Sequence, residues 1–111
     1  MASGSQLEPA AGEPVVDGRG LVLAPGFIDA HSHADDAILE LRDAEAAVNQ
    51  GITTVVVGQD GESKRPLAEF FARLEAAPAA VNLASYAGHG SVRTEVMGED
   101  YRRAATAAEI E

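Results

Sequence analysis

Two histidines stand one residue apart at the end of a short apolar run, in GFIDAHSHADD, residues 26–36. On an extended segment this i, i+2 spacing puts both imidazoles on one face, about 7 Å apart along the chain. Two neutral imidazoles so placed can converge on one divalent cation, with nitrogen–metal distances of about 2.1 Å. His31-x-His33 equally suits a pair of polar residues in a water-exposed loop, and the spacing does not choose between the two. Asp29 shares the parity of the histidines. It could orient one imidazole as a hydrogen-bond acceptor, or be an ordinary carboxylate at a strand end. The chain has no cysteine, so a metal would have to be held by His, Asp or Glu, and no disulfide can form.

The elements that must position these residues read as alternating strands and helices. PVVDGRGLVLAP gives two short strands, Val15–Val16 and Leu21–Ala24, joined by a glycine-containing turn, and GFIDAH is a further short apolar run. From Asp35 to Gln50 the residues Ile38, Leu41, Ala44, Ala47 and Val48 recur at helical spacing. Asp43 could instead cap a shorter helix, and Gly51 suits the position just past its end. ITTVVVG, residues 52–58, is β-branched and apolar on both faces, as expected of a parallel strand covered on both sides. Pro66 suits the first position of a helix whose stripe is Leu67, Phe70, Phe71 and Leu74, and Pro78 closes it. VNLASYAG then reads as a strand, followed by the loop HGSVR.

This order predicts an α/β fold in which βα units build a parallel sheet. His31 and His33, Asp60, and His89 then each follow a strand, on the side of the sheet where such proteins place their chemistry. Residues 1–13, rich in Ala, Gly, Ser, Glu and Pro, read as a loose leader. Near the other end, Thr106-Ala-Ala-Glu109 is a capping-box pattern that opens a helix, and only two residues follow it. A truncated chain is therefore expected.

Composition narrows the partners. The 18 acidic against 8 basic residues give a net charge of −10, which repels phosphate backbones and anionic lipid, so neither nucleic acid nor a membrane is expected as a partner. A mean hydropathy of −0.05 fits a soluble globular chain. The first residues lack a basic and an apolar signal region, and a cytoplasmic location is expected.

APGFIDAHSH resembles the first barrel strand and metal motif of the metal-dependent amidohydrolase superfamily, and GITTVVVGQDG resembles its next helix–strand step. NLASYAGHGSVRTEVMG is similar to the D-aminoacylase, or N-acyl-D-amino-acid deacylase, branch. The resemblance runs from about Pro14 to the C-terminus. It implies the first three βα units of a (β/α)8 TIM-like barrel over residues 25–111, preceded at 14–24 by a hairpin of a small composite β-sandwich. Such a barrel needs about 250 residues, so the chain is expected to be an inactive fragment of a larger enzyme.

Carried over by position, the resemblance makes His31 and His33 metal ligands. Asp60 matches a position where several deacylases carry a metal-ligating cysteine. A carboxylate also binds zinc but tunes it differently, and an aspartate before Gly61 equally suits a turn. His89 could line the substrate pocket and Arg93 could meet a substrate carboxylate. Alternatively, His89 bonds backbone in a tight turn and Arg93 is a surface charge. The implied cofactor is zinc, as one or two divalent ions, and the implied substrate is a small N-acylated amino acid. The implied reaction is amide hydrolysis by metal-activated water, with the proton-accepting aspartate and two further histidines beyond Glu111. A cyclic-amide hydrolase of the dihydroorotase or hydantoinase type, and a non-catalytic acidic βα binding domain, are the competing readings.

Overall fold

The β-branched run after Gly51 forms the central strand of the molecule. In the structure, a computed structural model that describes residues 4 and 7–110, this run is β2, Ile52–Val57. It lies between β1, Phe27–Asp29, and β3, Asn82–Ser85, in one three-stranded sheet of order β1-β2-β3. Both pairings are parallel. The register slips by one residue between Phe27 and Ile28, which face Ile52 and Thr54. At that point the Thr53 side chain occupies the space where a Cβ on Gly26 would lie, so only glycine fits there.

A parallel pair must be joined by a crossover, and α2, Leu67–Ala76, supplies the one between β2 and β3. Its stripe buries Phe70 and Leu74 against Val55, Val57, Ile38 and Val81, which together form the core. Each large side chain so buried contributes about 1.5–3 kcal/mol. Burial alternates along β2: Val55 and Val57 are closed off, while Ile52, Thr54 and Val56 are half-buried. The apolar run thus has one covered face in this chain rather than the two its composition suggests. Pro66 precedes the first helical residue as the extended N-cap.

The crossover between β1 and β2 departs from the sequence reading. The periodic stretch from Asp35 does not form one helix. A 3-10 turn at Ala34–Asp36 is followed by open turns and then a single-turn helix, α1, Glu45–Val48. Ala44, not Asp43, precedes it, in a left-handed conformation and with no side-chain cap. The break lets Ile38 enter the core while Leu41 and Val48 face solvent. Arg42 donates to the Ala77 carbonyl, and Ala80 N–H donates to the Arg42 carbonyl, so the turns are tied to the end of α2. Gly51 takes the left-handed backbone expected of it, at φ +76°.

The hairpin expected over residues 14–24 is absent. These residues are exposed, carry no strand, and contain one turn closed from Leu21 N–H to the Gly18 carbonyl. A two-stranded ribbon is marginal in water without a face to cover it, and among the described residues nothing buries this segment. Of the leader expected over 1–13, positions 1–3, 5 and 6 lie outside the described residues; the rest is exposed.

After β3 the expected loop is instead a helix, α3, His89–Met97, which Gly88 opens from an extended conformation. It ends at Gly98 in a 3-10 turn. The capping box does open a helix, α4, Ala107–Ile110. Glu109 accepts from the Thr106 N–H at 2.8 Å and from its hydroxyl at 2.9 Å, while Arg103 grips the same carboxylate with two nitrogens.

Two outcomes follow from these contacts. Gly58 has φ +79°, and a Cβ there would strike the Tyr86 carbonyl and come within 2.9 Å of Ser85 Oγ. Gly58→Ala should cost more than the ~1–2 kcal/mol of left-handed strain alone, read as a lower urea midpoint with an unchanged slope. Arg103 first, and then Thr106, hold the Glu109 carboxyl well below its ordinary value of 4.5. Its folded value is depressed, so its support of α4 is complete above that ordinary value and is lost as the pH falls below it. Backbone shifts of Ala107 and Ala108 should therefore move in acid, and Glu109→Gln should flatten that response.

Candidate metal centre

The loop after β1 is shaped by its own turn chemistry. Asp29 Oδ1 accepts the His31 N–H at 3.2 Å, and Ser32 Oγ accepts the Ala34 N–H at 3.2 Å. Aspartate and serine at such positions hold turns by mimicking backbone carbonyls. Asp29 thus fixes the backbone that carries His31 and does not touch an imidazole ring among its hydrogen bonds. Ser32 N–H donates to the Val56 carbonyl at 3.0 Å, which stitches the loop to the end of β2. The histidines converge because of these turns, not because they continue a strand, since β1 stops at Asp29.

The loop after β2 turns sharply. Asp60 and Gly61 both have positive φ, at 57° and 87°, and Glu62 N–H closes on the Gln59 carbonyl at 3.1 Å. This is the two-residue turn that Asp-Gly favours. Gln59 Nε2 donates across to the Ala30 carbonyl at 2.8 Å, and so straps the turn to the histidine loop. Sequence reading passed over Gln59, because nothing in its spacing signals a contact 29 residues away.

At the meeting of the two loops, Asp60 Oδ2 lies 3.2 Å from His31 Nε2 and 3.1 Å from His33 Nε2. The imidazole centroids are 5.7 Å apart, with the rings inclined at 57°. One donor atom from each of His31, His33 and Asp60 lies within 4.8 Å of the others. Donors arranged tetrahedrally at about 2.1 Å from a zinc ion lie ~3.4 Å apart, so the set fits a divalent cation and leaves room for a further ligand. Side-chain exposures of 61%, 59% and 64% leave the cluster open on one side. The hydrogen bond from His31, and more weakly the one from His33, hold the Asp60 carboxyl below its usual value. Ligation by Nε2 would place the remaining ring proton on Nδ1 of each histidine.

The other two sequence candidates lie apart from this cluster. His89 is exposed and is the first residue of α3, so of its two readings the tight turn is replaced by a helix start. The Arg93 guanidinium donates to the carbonyls of Tyr101 and Arg103, at 2.8 Å from Nη2 to each. Its donors fasten the chain beyond α3 instead of facing a carboxylate ligand. Helix formation over 89–97 places Arg93 one turn into α3, which a loop reading of HGSVR cannot anticipate.

A parallel α/β sheet with a histidine–histidine–carboxylate cluster on the loops at its carboxyl edge defines a class: α/β proteins with a candidate metal centre at the strand ends. Within it, this chain belongs to the amidohydrolase family, which it matches over residues 14–111. It is 40% identical to the D-aminoacylase of Alcaligenes xylosoxydans xylosoxydans, over 99% of this chain and 27% of that protein. It is 41% identical to the N-acyl-D-aspartate deacylase of the same organism, over 90% of this chain and 24% of that one. The N-acyl-D-glutamate deacylase of Bordetella bronchiseptica, solved with zinc and a phosphonate mimic of the tetrahedral intermediate, superposes with a TM-score of 0.72 at 36% identity. That superposition covers 77% of this chain and 22% of the deacylase. The chain thus spans about a quarter of the length of the curated relatives it matches.

The strap makes one outcome measurable. Gln59→Leu keeps the side-chain length but removes the donor to Ala30, a bond worth about 1 kcal/mol. Amide exchange at Ser32 should quicken about fivefold, as read by deuterium exchange. An unchanged rate would mean that the histidine loop holds its place without Gln59.

Proposed function

We propose that this protein is a metal-dependent hydrolase of amide bonds in N-acylated amino acids, most like the N-acyl-D-amino-acid deacylases, with zinc held by His31, His33 and Asp60. The observation that carries this reading is the convergence of three donor atoms at the carboxyl edge of the sheet, in a chain about 40% identical to a D-aminoacylase. The zinc in the related Bordetella deacylase supports the choice of metal.

The reading extends the three-stranded sheet to the opening units of a (β/α)8 barrel, and it takes residues 14–24 as part of a composite β-sandwich. A divalent cation in the cluster would act as a Lewis acid toward water and toward the substrate carbonyl. The chain's own residues do the holding. His31 and His33 offer two neutral nitrogens from one loop, and Asp60 offers a charged oxygen from the next. The Asp29 and Ser32 turns keep the two imidazoles on the same side. No residue of this segment is assigned the proton-accepting role. Among the described residues no helix is long and apolar enough to cross a membrane. A small-molecule substrate and a cytoplasmic setting complete the proposal, and the net charge of −10 argues against phosphate backbones as partners.

The test is metal content together with stereoselective hydrolysis. The intact protein, of which this chain covers about a quarter by comparison with its relatives, should retain zinc by mass spectrometry and release free amino acid from N-acetyl-D-amino acids faster than from the L forms. The 111-residue chain alone is expected to be inactive. Chelation should abolish turnover, and zinc should restore it. His33→Ala removes a ligand outright, so its zinc affinity should fall by more than the roughly 10- to 100-fold typical of losing an outer partner. Turnover that survives chelation, in a protein free of zinc, would overturn the reading.

A further inference from the structure

Asp60 sits at the tip of a two-residue turn, and a carboxylate on an unsupported tip would swing with it. This tip is gripped from behind by the first turn of α3. Ser91 N–H donates to the Gly61 carbonyl at 3.1 Å. Ser63 N–H donates to Ser91 Oγ at 2.9 Å, and the Ser91 hydroxyl donates back to the Ser63 carbonyl at 3.2 Å. Gly88 N–H donates to Ser63 Oγ at 2.9 Å. Both peptide groups of Ser63 and both hydroxyls are thereby engaged in one closed set between segments 25–30 residues apart.

The two backbones touch. A Cβ on Gly88 would lie 2.5 Å from the Glu62 carbonyl carbon, 2.6 Å from Gly61 O and 2.7 Å from Ser63 N. A Cβ on Gly90 would lie 2.9 Å from Gly61 O. Glycine at both positions is what lets the helix end come this close. Arg65 adds an ion pair to Glu95 one turn further along α3, at 2.7 Å.

We propose that Ser63 and Ser91, seated by Gly88, form a latch that positions Asp60 for the cation, so that α3 sets the metal affinity of a site to which it contributes no ligand. The inference rests on the reading of His31, His33 and Asp60 as ligands. Two features favour positioning over simple loop packing. The turn is pinned on both flanks, by the Gln59 strap toward the histidines and by the latch toward α3, with Asp60 between them. The hydrogen bonds of the Asp60 side chain, among the described residues, go to the two imidazoles alone. A pinned backbone leaves that carboxylate only its own rotations, and sites lose function when their supports are about 1 Å too loose.

The test titrates the metal-free full chain with Co2+ and reads the visible ligand-field bands and the dissociation constant, at a temperature where circular dichroism shows every variant folded. Ser91→Ala and Ser63→Ala should each weaken Co2+ binding about tenfold, the low end for outer-partner losses, with altered bands and unchanged stoichiometry. Ser91→Thr keeps the hydroxyl and should restore both affinity and bands. Loosening that is merely structural would lower the melting temperature without moving either. Ser63→Ala removes fewer bonds, and it decides the matter if Ser91→Ala does not fold. Wild-type affinity and bands in the alanine variants would overturn the latch alone. A wild-type chain that binds no Co2+ would overturn the ligand reading and the latch with it.

Discussion

Parallel pairing of β1 with β2 is the constraint on which the rest depends. Parallel neighbours leave the sheet at the same edge, about 4.8 Å apart. Loops distant in the chain therefore start side by side. His31 and Asp60 are 29 residues apart, yet their side chains meet at 3.2 Å. An antiparallel pair would send one of those loops to the far end. The pairing requires a crossover, and burial of Ile38 and Phe70 on one face of the sheet is what holds the crossovers in place.

Local chemistry then takes over from the sheet. The strands bring the loops to within reach, but the angstrom-scale fit comes from short-range turns: Asp29 and Ser32 on one side, Asp60-Gly61 on the other. Bonds across the gap lock the two together, at Ser32–Val56 and Gln59–Ala30. Sheet burial and loop chemistry are thus nearly separate problems in this molecule. The core side chains are apolar and buried, whereas the side chains of His31, His33 and Asp60 are exposed.

What the sequence disclosed follows the same division. The strand Ile52–Val57, the stripe of α2 and the capping box at Thr106 are local patterns, and each appears where its periodicity or residue types place it. The two histidines and Asp60 were legible as strand-end residues, and the structure brings them together. Asp60 also makes the turn that its neighbour Gly61 suggests, and that turn does not prevent its carboxylate from meeting the two imidazoles. The misreadings share one cause, which is reliance on partners outside the window. The apolar repeat from Asp35 to Gln50 records contacts made by turns as well as by helix. The hairpin over 14–24 needed a surface to lie on. HGSVR became helical because Ser63 and Gly61 receive its first turn, and no local signal announces that. Gln59 and Ser91 act across some thirty residues, beyond the reach of any spacing rule.

The uncovered segment before β1 has a consequence for how the chain behaves in bulk. Val15, Val16, Leu21, Val22 and Leu23 are 70–91% exposed, and their backbone has no strand partner. Such a segment is adhesive toward its own kind. What keeps molecules apart is mutual repulsion from a net charge of −10 at neutral pH, and that repulsion vanishes near the isoelectric point of about 4.6. In this chain by itself, charge repulsion therefore opposes the apolar attraction of that segment. Mild acid removes that charge, and high salt screens it.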